Sequence, residues 1–373
     1  MKPLFRKILL SFLGILFALL LGEMILRIFD YQGISLMKKD RVLGQIYKPN
    51  LHANVYSEES DQFIPIRINS MGFRDHDHSF GRSDKKRMVI LGDSFGAGFS
   101  VRFEDTFPQQ CEKYLNEHSP SQWEVINLSV AGFGTAQEML AYREMGRKFH
   151  PDVVVLFFFP GNDISDNSSE LSTNPRIYFT LDDKGNLVQE PGGRLRSEAS
   201  SFLNDHSRLY LWQKVQMKKL ENYYKYKVRL NPAYHAFLAN YDKKTMRAWQ
   251  ITEKLLASLA GIAAGESATF LVVAIPFPDA IYPQWWSETL AASPPMHKEM
   301  WDLSKPERLL ALFCRQNKIA FYSPADTFRA EAAQTYYFKH GHFNKAGHAR
   351  IGQLLAEQIL RKASLNIRKN HKN

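Results

Sequence analysis

Eight consecutive residues, Asp152–Phe159, read DVVVLFFF, with nothing polar after the first. Successive side chains of a strand point to opposite faces, so a strand that is apolar at every position must be covered on both. That requires a sheet with a layer of structure on each side. Four shorter runs share this character: Arg87–Leu91 (RMVIL), Trp123–Leu128 (WEVINL), Thr269–Ile275 (TFLVVAI) and Lys318–Tyr322 (KIAFY). Interleaved with them are stretches of helical spacing at Phe107–Asn116, Ala136–Lys148, Ala248–Ala260, Glu307–Gln316 and Lys345–Lys362. Alternation of this kind predicts an α/β fold, a parallel sheet sandwiched by helices. In such sheets ligands bind where loops leave the carboxyl ends of the strands.

The N-terminus has a different character. Lys2, Arg6 and Lys7 precede an apolar run from Ile8 to Gly22, which continues to Phe29 with only Glu23 and Arg27 interrupting. As a helix, Ile8 to Phe29 would reach roughly 33 Å, enough to cross a bilayer core. Glu23 and Arg27 are four apart and can pair at the far interface. A cleaved signal peptide is the competing reading, but Gly22-Glu23-Met24 and its neighbours make a poor cleavage site. Residues 1–30 are therefore expected to form a signal-anchor transmembrane segment. Its basic flank would stay cytoplasmic and the rest of the chain would lie outside the cytoplasmic membrane, periplasmic or at the cell surface. Residues 31–86 read as a connector and 87–365 as the main domain, with a helical insertion at about 164–245 that shapes or caps a site. Residues 366–373 read as a basic tail.

The net charge of +10 could suggest a nucleic-acid partner, but eight basic residues crowd the two ends and leave only +2 for everything between. No nucleic acid is expected. Cys111 and Cys314 are too few and too far apart for a disulfide framework or a metal motif, and read as small buried apolar residues. His340, His342 and His348 invite a zinc hypothesis, but no cysteine or carboxylate joins them at a zinc-like spacing, so neither metal nor cofactor is expected. His76 and His78 read as part of a solvated loop.

Four short motifs follow strand ends or precede the last helix. Leu91-Gly92-Asp93-Ser94-Phe95-Gly96-Ala97-Gly98 offers a serine among glycines. Asn127-Leu128-Ser129-Val130-Ala131-Gly132-Phe133-Gly134-Thr135 offers an unobstructed backbone N–H at a glycine, and Gly161-Asn162-Asp163 a carboxamide. His340-Gly341-His342-Phe343-Asn344-Lys345-Ala346-Gly347-His348 sets an imidazole just ahead of a helix that Asn344 would cap. Each alone is an ordinary turn. Together and in this order they resemble the blocks of the SGNH/GDSL hydrolase superfamily, over about residues 60–365. The likeness extends to its bacterial membrane-anchored members through the Asn69-x-x-Gly72-x-Arg74-Asp75 string.

The resemblance implies a flavodoxin-like three-layer α/β/α SGNH-hydrolase fold and a serine esterase. Ser94 would be the nucleophile, His342 its base, and Gly132 and Asn162 the oxyanion donors. Its substrate would be an acyl, for example O-acetyl, ester of envelope carbohydrate or lipid. An O-acyltransferase could use the same residues. The family's aspartate, two or three residues before the histidine, is missing: those positions hold His340 and Lys339. Three alternatives follow. A backbone carbonyl or neutral His340 orients His342; a distant carboxylate such as Asp326 or Asp163 replaces the missing one; or the chain is a catalytically impaired glycan-binding or assembly protein. In the last case Tyr282, Trp285 and Trp286 would be available for sugar stacking, although core packing is the plainer role for them.

Overall fold

The computed structural model describes residues 3–29, 35–172, 174, 176–191, 202–204, 206–339 and 341–370, with side chains as far as 361. Eleven strands occur among them. β1 (Met37–Asp40) and β2 (Gly44–Tyr47) form one antiparallel hairpin, and β3 (His52–Ser57) and β4 (Gln62–Arg67) a second. β5 (Lys86–Leu91), β6 (Trp123–Asn127) and β7 (Val153–Phe158) follow, then a small hairpin of β8 (Phe179–Leu181) and β9 (Leu187–Gln189). β10 (Thr269–Ala274) and β11 (Ala320–Tyr322) complete the set. The longer helices are α1 (Pro3–Ile28), α2 (Phe107–His118), α3 (Thr135–Glu144), α4 (Arg208–Val228), α5 (Lys243–Gly265), α6 (Lys305–Gln316) and α7 (Lys345–Asn370).

The main sheet is parallel throughout and ordered β11-β10-β7-β5-β6. Taking its strands in chain order gives 2-1-3-4-5, the flavodoxin-like arrangement. The unbroken apolar runs account for it. Val154, Leu156 and Phe158 of β7 enter one core cluster together with residues of α3, α5 and α6. Val155 and Phe157 enter a second cluster with α2 and α7, the Phe157 ring 4.2 Å from that of Phe107. Both faces of one strand are therefore core, which makes three layers. Truncating a fully buried Phe157 to alanine should cost about 3–5 kcal/mol.

The order also fixes where a site can form. The chain runs from β5 outward to β6 and then returns to β7 on the other side of β5, so the crevice of this fold opens between the carboxyl ends of β5 and β7.

The segment before β5 is built into the molecule. Tyr47, Ile64, Ile66, Ile68 and Phe73 are buried in the same cluster as α3 and α5. Gly72 (φ +90°) makes its turn where a Cβ would sit 2.8 Å from the Tyr47 carbonyl oxygen. Asn69 closes that turn by accepting the N–H groups of Met71 and Phe73. The turn delivers Arg74 into the interior, where it donates to the carbonyls of Ala97, Gly98 and Val101.

α1 is long and apolar enough to cross a membrane, and its side chains are almost all exposed. A signal sequence would meet the same description.

Candidate active site

Ser94 begins a single helical turn, Ser94–Ala97, directly beyond β5. Asp93 caps it, one carboxylate oxygen accepting the Phe95 N–H at 2.8 Å. Gly98 (φ +62°) ends it, and Arg74 grips the carbonyls just past that end. Gly96 is required by contact, since a Cβ there would lie 2.0 Å from the Ser129 hydroxyl. Ser129 belongs to the loop after β6, and Asn127, the last residue of that strand, donates Nδ2 to the Gly96 carbonyl at 3.0 Å. The serine turn is thus held from below, with Ser94 itself half-buried at the crevice.

His342 reaches the same place from the far end of the chain. Asn344 accepts the Gly347 N–H at 3.0 Å, starting α7, and anchors its own amide on the Thr335 carbonyl. Gly347 could be nothing larger, because a Cβ would fall 2.0 Å from the Tyr336 carbonyl oxygen. So held, His342 stacks obliquely on Phe95, ring centres 4.8 Å apart, and its Nε2 lies 2.7 Å from Ser94 Oγ.

The other ring nitrogen meets a group that sequence reasoning missed. Glu59, at the tip of the β3–β4 hairpin, places Oε1 2.8 Å from His342 Nδ1 and accepts the His342 backbone N–H at 3.2 Å. Its Oε2 accepts the Ser100 hydroxyl at 2.5 Å. Gly341 makes room, since a Cβ there would come within 2.4 Å of the carboxylate. Burial alone would raise the Glu59 carboxyl, but the hydrogen bond and charge of His342, with Ser100 assisting, bring it down to about 2. It is ionised at neutral pH and can only accept. In the neutral imidazole Nδ1 must then carry the proton, leaving the Nε2 lone pair facing the Ser94 hydroxyl. Burial draws the His342 pKa down while Glu59, and more weakly Asp93, push it up; the net shift is upward.

Asn162 follows β7 and points its amide at the serine turn, Nδ2 donating to Asp93 Oδ2 at 2.9 Å. Its second contact, to Asp166, is a loose 3.5 Å. Gly132 is half-buried in the loop after β6 with φ +81°, a conformation that favours glycine. That loop is tied to the serine strand by the Val130 N–H on the Gly92 carbonyl at 3.1 Å. The loops carrying Ser94, Gly132 and Asn162 are therefore fastened to one another, and His342 is in direct contact with both Ser94 and Glu59.

The other candidates stand elsewhere. His340 lies outside the described residues, and the Nδ1 it was expected to orient is bonded to Glu59. Asp326 is fully exposed and pairs with Arg329. Asp163 is buried, with Oδ2 accepting the Phe159 N–H, and desolvation with Glu138 and Asp93 nearby drives its pKa well up. His348 is buried in the helix layer and accepts the Phe107 N–H. Burial, with help from the charges of Arg74 and His342, lowers it to about 3. Tyr282 and Trp285 are core residues, and Trp286 packs on Tyr234 and Trp301. Cys111 and Cys314 are buried free thiols. His78 is not solvated; it is buried between Asp75 and Glu124.

Glu59 had a faint local signal. The strands HANVYS and QFIPIR flank Glu58-Glu59-Ser60-Asp61, a pattern that reads as a hairpin with an acidic tip. Nothing in the sequence tells such a tip to meet a histidine 283 residues away.

No protein-family model matches the chain, nor does any curated protein. Solved structures do. A structure of TesA aligns over 72% of this chain and 94% of its own length, at 15% identity and a TM-score of 0.38. The acetyl xylan esterase AlAXEase aligns over 74% and 98%, at 12% identity and 0.39. A lipase/acylhydrolase from Enterococcus faecalis aligns over 74% and 95%, at 12% identity and 0.39. At such identities and scores these likenesses say nothing of what the site does.

Proposed function

We propose that the chain is a serine esterase of the SGNH/GDSL superfamily, with Ser94, His342 and Glu59 as its triad. The observation that carries this reading is the continuous line Glu59 Oε1–His342 Nδ1, His342 Nε2–Ser94 Oγ, at 2.8 and 2.7 Å. Serine is a weak nucleophile until a base within hydrogen-bond reach takes its proton. Here Nε2 takes the Ser94 proton as Oγ adds to the ester carbonyl, and Glu59 stabilises the imidazolium that results. Collapse of the tetrahedral adduct expels the alcohol, which leaves with the proton from Nε2. Water, deprotonated by the same nitrogen, then attacks the acyl-enzyme, and the second adduct collapses to the acid as Nε2 returns the proton to Ser94 Oγ. The Gly132 N–H and Asn162 Nδ2 stabilise the oxyanion of both adducts. Asp93 holds that Asn162 amide in place.

A cavity of about 280 Å³ borders Asn162 and is lined by Asp166, Ser172, Asn222, Lys225, Tyr226 and Asn231 among others. Amides, hydroxyls and cations at this density suit a hydroxylated alcohol portion better than a lipid tail, which supports O-acyl, for example O-acetyl, carbohydrate as substrate. With α1 as a single-pass anchor, the reaction takes place outside the cytoplasmic membrane. Glu59 supplies a carboxylate beside His342, which favours a working triad over a catalytically impaired binding protein.

The test is labelling of the folded protein with a fluorophosphonate probe. Labelling is expected at Ser94 and should vanish in Ser94→Ala; an intact protein that never labels there would refute the assignment. Incubation with an acyl donor and a glycan acceptor separates hydrolysis from transfer. Free acid is expected; acylated sugar as the main product would make the chain an O-acyltransferase.

A further inference from the structure

α4 presents two dissimilar faces. Lys218, Asn222, Lys225 and Tyr226, spaced i, i+4, i+7 and i+8, line the cavity beside Asn162. On the opposite side Met217, Leu220, Tyr224 and Val228, spaced i, i+3, i+7 and i+11, form a second stripe exposed by 64%, 49%, 62% and 76%. Trp212 and Tyr223 extend that exposed surface along its edge. Contiguous large apolar side chains left in water on a soluble domain mark a contact surface. The helix also carries Arg208 and five lysines against a single acid, Glu221. The Lys214 and Lys227 ammonium groups lie over the rings of Tyr210 and Tyr223, 5.7 and 4.2 Å from the ring centres.

The position of α4 indicates what covers this surface. Its N-terminus is joined to α1 at Glu23, roughly one and a half turns before the end of that helix. The Glu23 carboxylate accepts the Ser207 hydroxyl at 3.0 Å and the backbone N–H groups of Arg208 and Leu209 at 3.1 and 2.9 Å. Arg27 donates to the His206 carbonyl at 2.8 Å. The Leu209 methyls pack beside Gly22, where a Cβ would make ordinary contact at 3.6 Å. The first turn of α4 is thus fixed where a membrane-spanning α1 would leave the hydrocarbon.

We propose that α4 is an interfacial helix lying on the anionic lipid surface of the membrane that α1 crosses. The Met217–Val228 stripe sits in the headgroup–acyl boundary, Lys214 and Lys227 meet lipid phosphates, and the cavity stripe, with Lys218 and Lys225, faces away from the membrane. Aromatic and basic side chains around an apolar stripe are what such a helix needs. The catalytic crevice is then held at a fixed, short height above the bilayer, within reach of substrates presented at its surface. This inference rests on α1 as an anchor and is independent of the chemistry at Ser94.

The experiment uses the full chain in vesicles of phosphatidylcholine and phosphatidylglycerol, with a nitroxide placed in turn at Tyr224→Cys, Phe17→Cys and Asp182→Cys. Cys111 and Cys314 are buried with raised thiol pKa values and should stay unlabelled. Collision with oxygen should dominate at positions 17 and 224, and collision with a water-soluble nickel chelate at 182. Reversing Lys214 and Lys227 to glutamate should move position 224 severalfold toward the chelate while 17 stays in lipid. Position 17 in lipid with 224 as wet as 182 overturns the interfacial helix and spares the anchor. Position 17 in water overturns both. Dipolar broadening between labels at 224 would give the face to a second copy of the chain, and also overturns the proposal. None of these readouts involves turnover, so a failed esterase assignment would leave them unchanged.

Discussion

Among the described residues two imidazoles lie against carboxylates, His78 and His342, and of these two His342 is placed to do chemistry. His78 has an acid on each nitrogen, Asp75 at 3.0 Å from Nε2 and Glu124 at 2.8 Å from Nδ1, and Glu124 is shared with buried Arg87 at 2.6 Å. His342 has an acid on one nitrogen and a hydroxyl on the other. Burial opposes the charge on both rings. At His78 two carboxylates overcome it and raise the pKa to about 9, so both nitrogens carry protons at neutral pH and neither can accept one. At His342 a single carboxylate leaves Nε2 able to take a proton and give it back. A carboxylate beside a histidine is therefore not in itself a catalytic signature; what faces the second nitrogen decides.

The comparison is broken most sharply at Glu59. Glu59→Gln keeps the shape and removes the charge, and the amide can present either an acceptor or a donor to Nδ1. Loss of the equivalent function in a serine triad lowers turnover by about 10⁴, and a fall on that order in kcat is expected here. A variant within tenfold of wild type on a simple aryl ester would mean that Glu59 is a structural partner like the acids around His78. The donor side of the site is weaker. Asn162→Ala should lower kcat by about 10²–10³ with KM little changed, which steady-state kinetics would show. The larger loss should come from the acid.

At His78 the effect should fall on stability. His78→Asn removes the cation from between Asp75 and Glu124, and Asp75 also accepts the Asn127 N–H at 2.7 Å. A folded-state pKa above the unfolded value favours the folded state when the group is charged. That contribution is complete below about pH 6.5 and is lost as pH rises through about 9. The gap in unfolding free energy between wild type and variant should therefore be largest at pH 6, on the order of 3 kcal/mol, and should shrink toward pH 10. Denaturant melts at the two pH values check it. Activity per folded molecule should not change.

The two clusters also differ in how they could be read from the chain. The sheet, its parallel sense and the positions of Ser94, Asn162 and His342 beyond strand ends or before a helix follow from local patterns: DVVVLFFF, glycine-bounded turns, an Asn cap. Local pattern fails for pairings made across the fold. His78 looks solvated within Asp75-His76-Asp77-His78 because nothing nearby reveals that Glu124 of β6 and Arg87 of β5 close over it. Glu59 is hidden for the same reason. The hairpin that carries it is held by Ile64 and Ile66 in the core cluster that also contains Tyr47, and these contacts exist only after the sheet has formed. His340 lies two residues from His342 in sequence, but the carboxylate at Nδ1 comes from Glu59, 283 residues away.

The smallest and most discriminating effect is the position of the acidic limb in the pH profile. His342 must be neutral at Nε2 to act as base, so kcat/KM should rise with pH through its folded-state pKa. Glu59 and, more weakly, Asp93 push that pKa above 6.5 against the downward pull of burial. Wild-type enzyme should therefore reach half-maximal kcat/KM above pH 6.5. In Glu59→Gln the residual activity should titrate at lower pH, since burial then acts with only Asp93 opposing it. Glu59 itself, near 2, titrates too low to produce this limb. A limb that stays put in Glu59→Gln would show that another group sets the protonation of the base, and that geometry, not charge, is what the hairpin supplies to His342. A downward move would mean that the acid sets the proton affinity of this imidazole as it does that of His78, with the Ser94 hydroxyl at the second nitrogen as the difference between a structural cation and a base.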